Sequence, residues 1–124
     1  MAPNYALPIK SQRMQVVVNA IDSAGTAGTI EIGTAAMGTI LCIISLSKPS
    51  FTELNGVLTM ASVPKTGTAS VTGTGVAARI KDGGGGVQVS GLTVGTAGAD
   101  INLDNNAIIA GQTVTLSSGT ISHF

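Results

Sequence analysis

Aromatic side chains, charge and cysteine are all scarce in this sequence. Tyr5, Phe51 and Phe124 are the only aromatics among 124 residues, and there is no Trp. Hydrophobic residues still reach 44%, so a core has to be assembled from Val, Ile, Leu, Ala and Met. The length suits one domain with a buried core. Charged residues make up 10%, against about 25% in ordinary soluble domains. That scarcity fits a surface largely covered by partners, because interface cores are depleted in charge; a threonine-coated extracellular β domain is the other reading. Net charge is zero, which gives no electrostatic footprint for nucleic acid. Arg79 and Lys81 fall together on one expected strand face and read as a solvated face. The single cysteine, Cys42, excludes an intramolecular disulfide framework and a cysteine-based metal cluster. It lies in the longest apolar run, Ile40 to Ile44, and reads as a small buried hydrophobe. That run is too short to span a membrane, and MAPNYALPIK, without a basic stretch followed by an apolar one, does not read as a secretion signal. Synthesis in the cytoplasm is expected, with export only as part of a larger assembly.

What is present is mostly strand grammar. Residues 1–10 read as an extended arm, since Pro3 and Pro8 disfavour helix in the residues before them. Tyr5, Leu7 and Ile9 give the arm apolar anchors, and it is either a disordered end or a strap across a neighbouring subunit. From Ser11 to Asp22, Met14, Val17, Val18 and Ile21 follow a helical stripe, with Ser11 as a candidate cap and Gly25 after the end. One short helix is expected there. Beyond Gly28, Thr29 to Ile32 alternates, and Thr39 to Leu46 suggests a strand buried on both faces. Lys48 to Phe51 breaks it, Glu53 to Gly56 reads as a turn, Val57 to Val63 as a strand, and Pro64 to Gly67 as another turn. Val71 to Lys81 alternates as one strand, with Val76, Ala78 and Ile80 on one face. The tract Asp82 to Gly86 reverses the chain as a hairpin turn, because glycine tolerates positive φ. Val87 to Val89, Leu92 to Val94, Ile101 to Leu103, and Val114 to Leu116 with Ile121 complete seven to eight strands, the spacing of a sandwich or barrel.

No chemistry-bearing constellation emerges. The glycine tract lacks the Lys-Ser/Thr and helix that a phosphate-binding loop needs. Asp100, Asp104, Asn105 and Asn106 lack the spacing of a calcium loop and read as turn formers. His123 has no acid or serine beside it, and nothing pairs Glu31 with Glu53. The expectation is therefore no catalytic residue, no metal site and no cofactor: not an enzyme.

Several segments taken together resemble a family of small proteins encoded in the head-assembly regions of tailed-phage genomes. They are AIDSAGTAGTIEIGT (20–34), GTILCIISLSKPSF (38–51), NGVLTMASV (55–63), ASVTGTGVAARIKD (69–82), VGTAGADINLDNNAIIAGQTVTL (94–116) and SSGTISH (117–123). The chain departs from the family pattern in having Ala77 and Ala78 where many relatives carry aromatics, and four glycines after Asp82 in place of an acidic turn. The resemblance implies a virion structural protein, a capsid decoration or cement protein with a jelly-roll-like or related two-sheet β-sandwich. Residues 11–124 would form that single domain, behind the arm of residues 1–10. Such a protein sits on the capsid surface, bridges major capsid protein subunits and pairs with itself as a dimer or trimer, with neither nucleic acid nor membrane as partner. A tail or fibre module for receptor adhesion or tail assembly is the alternative. The residues expected to meet partners are Tyr5, Leu7, Ile9, Phe51, Ile121 and Phe124, each of which also reads as an ordinary core or terminal residue.

Overall fold

The computed structural model describes residues 6–23, 27–47, 50–54 and 56–122. Among these residues there are one α-helix, α1 (Leu7–Ile21), and eleven strands: β1 (Thr29–Gly33), β2 (Ile40–Ser45), β3 (Phe51–Leu54), β4 (Val57–Met60), β5 (Lys65–Thr68), β6 (Gly73–Thr74), β7 (Ala77–Lys81), β8 (Val87–Gly95), β9 (Ile101–Leu103), β10 (Ala107–Ile108) and β11 (Thr113–Ser122). The fold is thus mostly β with one helix, as expected.

The helix starts earlier than the sequence reading placed it. Ala6 is its N-cap, with no side-chain cap, and Pro8 lies in its first turn. Pro8 costs little there because the first helical N–H groups lack intrahelical partners anyway. Residues 7–10 are therefore helix and not extended arm, and Ser11 is inside the helix instead of capping it. Met14, Val18 and Ile21 are buried and Val17 packs against them, so the expected stripe is the face that holds α1 to the sheet. Each such burial contributes about 2 kcal/mol.

Nine strands form one mixed sheet in the order β2-β1-β7-β8-β9-β11-β4-β3, with β5 also paired to β11; β10 and β6 form a separate two-stranded sheet. The large sheet curls. Register shifts interrupt the β1–β2, β7–β8 and β9–β11 ladders, and such bulges sharpen local twist. The curl brings β5 against β2: Cys42 and Ala69 form an antiparallel bridge, and the Ser70 amide donates to Leu41 O at 2.9 Å. Gly67 allows this approach. A Cβ there would lie 2.8 Å from Ile44 Cγ1 and 2.9 Å from the Ile43 carbonyl oxygen, so any side chain would push β5 away.

The core lies inside the curl. Ile30 and Ile32 of β1, Ile80 of β7, Ile101 and Leu103 of β9, and Leu116 of β11 are essentially inaccessible. Where β1 begins, α1 closes the interior: a Cβ on Gly28 would sit 3.1 Å from Ile21 Cγ2, and α1 packs on β3, β4 and β8. Where β1 ends, the small sheet does the same work. A Cβ on Gly75 would sit 3.0 Å from Ile32 Cγ2 and 3.2 Å from Ile108 Cδ1, and Ile108 is buried.

Several expected boundaries change. Phe51 to Leu54 is a strand, paired with β4 from Phe51↔Met60 to Leu54↔Val57. The segment read as a turn from Pro64 to Gly67 is largely β5; the break lies at residues 61–64, and both β4 and β5 run antiparallel along β11. Val71 to Lys81 is not one strand, because β6 leaves to pair with β10 before β7 begins, and Val76 is exposed instead of buried beside Ala78 and Ile80. β2 is buried on both faces only in part, with Ile43 at 52% exposure. The glycine tract is the β7–β8 hairpin turn, as expected: the Asp82 amide donates to Gly86 O, and Gly85 has φ 92°.

Candidate functional site

Two of the six residues expected to meet partners are in the core. Phe51 is 2% exposed and packs with the interior. Ile121, opposite Leu58 in the β11–β4 ladder, is buried too. Both point inward because they occupy the buried phase of alternating strands. Ile9 is 47% exposed on α1, and Leu7 is the first residue of that helix. Tyr5, Phe124 and His123 lie outside the described residues, as do Gly25, Lys48, Pro49 and Asn55 of the expected turns.

Arg79 and Lys81 are not a simple solvated face. Glu31 stands opposite Arg79 in the β1–β7 register and opposite Ile43 in the β1–β2 register. Its Oε1 accepts from Arg79 Nε, and its Oε2 lies 3.2 Å from Lys81 Nζ. The carboxylate is 6% exposed as a residue, covered by the two cations that neutralise it. Burial pushes its pKa up, but the hydrogen bonds and charges of Arg79 and Lys81 outweigh burial and hold it below the usual value. The triad was invisible in the sequence because 48 positions separate Glu31 from Arg79. Only the strand register brings them together.

All six acidic side chains of the chain are engaged in this way. Asp22 Oδ2 accepts from Ser50 N at 3.2 Å, Glu53 Oε2 from Gly56 N at 2.8 Å, Asp100 Oδ2 from Thr93 N at 3.0 Å, and Asp104 Oδ1 from Thr115 N at 3.3 Å. Asp82 Oδ1 takes the amides of Gly84 and Gly86, and its Oδ2 takes Gln88 Nε2, each at 2.9 Å. Those bonds, the Gly86 amide first, hold the Asp82 pKa low. The acids act as turn and register clamps, the role expected for Asp100 and Asp104. Asn105 and Asn106 join them, bonded to Ala107 N and Gly75 O. Where α1 ends beside β3, Asp22 Oδ1 and Ser50 Oγ are buried without a hydrogen-bond partner.

Cys42 is 1% exposed and burial pushes its thiol pKa up, so it packs as a small hydrophobe. Lys65 points along the Leu116 side of β5 and burial pulls its pKa down. No cavity that could hold a ligand opens among the described residues. No group of three or more His, Cys, Asp or Glu among them could hold a metal, and no described helix is long and apolar enough to cross a membrane.

The outer surface is therefore the feature with chemical content. Among the described residues, ten large apolar side chains are between 38% and 73% exposed, Ile43, Leu54, Val57 and Val87 among them. Leu54 and Val57 face each other at the β3–β4 tip. Along β3, β4 and β11, Thr52, Thr59 and Thr120 stand in one row; along β5 and β11, Thr68 opposes Thr113 and Thr66 opposes Thr115. Compared with known protein families, curated proteins and solved structures, the chain matches none.

Proposed function

We propose that this chain is an adhesive structural protein, and, on the strength of its sequence resemblance, that it decorates a tailed-phage capsid. In this reading copies pair with one another as dimers or trimers, bind the outside of the shell and bridge major capsid protein subunits. The chain works by buried area and not by catalysis. The observation that carries the reading is the surface: ten large apolar side chains among the described residues are exposed, while every acidic side chain is already committed to an amide or a cation. A surface of this kind is suited to contact with protein. Bridging contacts of standard size bury about 1,600 Å² each, and repetition over a shell multiplies modest sites into a large total. The curl of the large sheet also suits a two-sheet, jelly-roll-like sandwich.

Mass spectrometry of purified virions with copy numbers tests the proposal. Hundreds of copies per particle are expected for a decoration protein. A handful would move the chain to the tail, and none would reject a virion role.

A further inference from the structure

The triad has more cationic capacity than its carboxylate uses. Arginine carries five N–H donors and lysine three. The one ion-pair contact of Arg79 is through Nε, and that of Lys81 is a single Nζ contact. Nη1 and Nη2 of Arg79 bond to no described residue. The two side chains are 30% and 24% exposed, above a Glu31 side chain at 8%. The cluster thus presents one surplus positive charge, held in place from below by a buried carboxylate. Strand register sets apolar side chains at both flanks. Ile43 lies beyond Glu31 on β2, and Val87 lies beyond Lys81 on β8; they are 52% and 48% exposed. Arginine is among the residues enriched at interface hot spots, a guanidinium fork fits a carboxylate in two-point geometry, and the two exposed aliphatic side chains add apolar area beside it.

We infer that the patch formed by Ile43, Arg79, Lys81 and Val87 over Glu31 is a docking site for a carboxylate side chain, Asp or Glu, flanked by apolar residues on a different protein. A second copy of this chain is the poorer occupant, because each of its own six acids is already bonded. The inference rests on the adhesion reading for the partner being a protein. It names what that partner must present.

The test is an NMR titration of the full chain with the N-acetylated, C-amidated tripeptide Leu-Glu-Leu, and with its Leu-Gln-Leu analogue. The Glu peptide is expected to shift the Arg79 Nε–H and Ile43 methyl signals saturably, with a dissociation constant on the order of tens of millimolar, because an exposed ion pair with little buried area contributes little. Raising salt to about 1 M abolishes the shift, because the Debye length falls to about 3 Å. The Gln peptide gives no saturable shift. Lys81→Gln leaves the Glu31–Arg79 pair intact and is expected to weaken the Glu peptide at least about threefold with an unchanged folded spectrum, whereas Lys65→Gln changes nothing. Equal shifts from both peptides, shifts centred on Arg13 instead, or a folded Lys81→Gln protein that binds as well as the parent would each overturn the inference. The titration needs no virion, so the particle copy number and the docking patch fail or stand separately.

Discussion

On β2, β1, β7 and β8 the outward face is organised by one buried carboxylate and two cations, whereas on β3, β4, β5 and β11 most outward positions are threonines in register with one another, with the Leu54–Val57 pair at the β3–β4 tip. Both solutions let a strand carry a polar exterior over a shared aliphatic core. The first relies on long side chains that must be neutralised to lie down on the sheet, and its strength depends on ionisation. The second relies on β-branched side chains that fit a pleated surface without any charge. Thr52 Oγ1, for example, bonds Thr59 O across the β3–β4 pair. Charge, scarce in the chain as a whole, is thus spread unevenly over the sheet, and the Glu31 cluster sits where it fixes the β1–β7 register. The two halves should therefore respond to different perturbations.

The largest effect is expected where the halves meet. Gly67→Val forces β5 off β2 and costs about 3 kcal/mol by denaturant titration, because the added Cβ would fall against the Ile43 carbonyl. A cost under about 0.5 kcal/mol would mean that the contact does not hold the curl together. Next, Arg79→Ala leaves Glu31 with only Lys81, at a cost of about 2 kcal/mol once solvent screening is allowed for. Thr66→Ala, on the other half, should cost less than about 1 kcal/mol. Equal costs would erase the distinction between the two faces.

Acid should act on the charged half. The Glu31 pKa is depressed in the folded chain below its ordinary 4.5, so its stabilising contribution is complete above that value and is lost as pH falls through the folded pKa. Asp82, also depressed, acts with the same sign in the β7–β8 turn. Denaturation midpoints measured downward from pH 5 are expected to fall more steeply for the parent than for Glu31→Gln; parallel curves would contradict this. The smallest effect concerns Lys65, whose lowered pKa reflects a burial penalty on its charged form. Lys65→Met is expected to raise Tm by roughly 2 °C, and a lower Tm would show that the ammonium makes a favourable contact.

The readable parts of the fold were those coded locally. The Asp82–Gly86 turn is legible because Asp82 and the glycines form nearly all of its bonds within the tract. The helical stripe of Met14, Val17, Val18 and Ile21 is legible for the same reason, although Pro8 disguised its start. What was not legible depends on distant partners. β5 reads as a turn because Lys65, Thr66, Gly67 and Thr68 have no apolar alternation; pairing with β11 and the close approach to β2 make it a strand. The inward phases of Phe51 and Ile121 follow from β3–β4 and β11–β4 pairing, which no window around either residue contains. The Glu31 triad needs strands 48 positions apart to align.

β11 has a consequence for biosynthesis. Its ten residues supply neighbours for β5, β9 and β4 in turn, so three earlier strands wait on residues 113–122 to leave the ribosome. Until then the nascent chain presents unpaired edges of the sort that recruit other chains. Completion of the sheet thus waits for residues 113–122. A ribosome-stalled fragment ending at residue 112 should remain sensitive to protease across β4, β5 and β9.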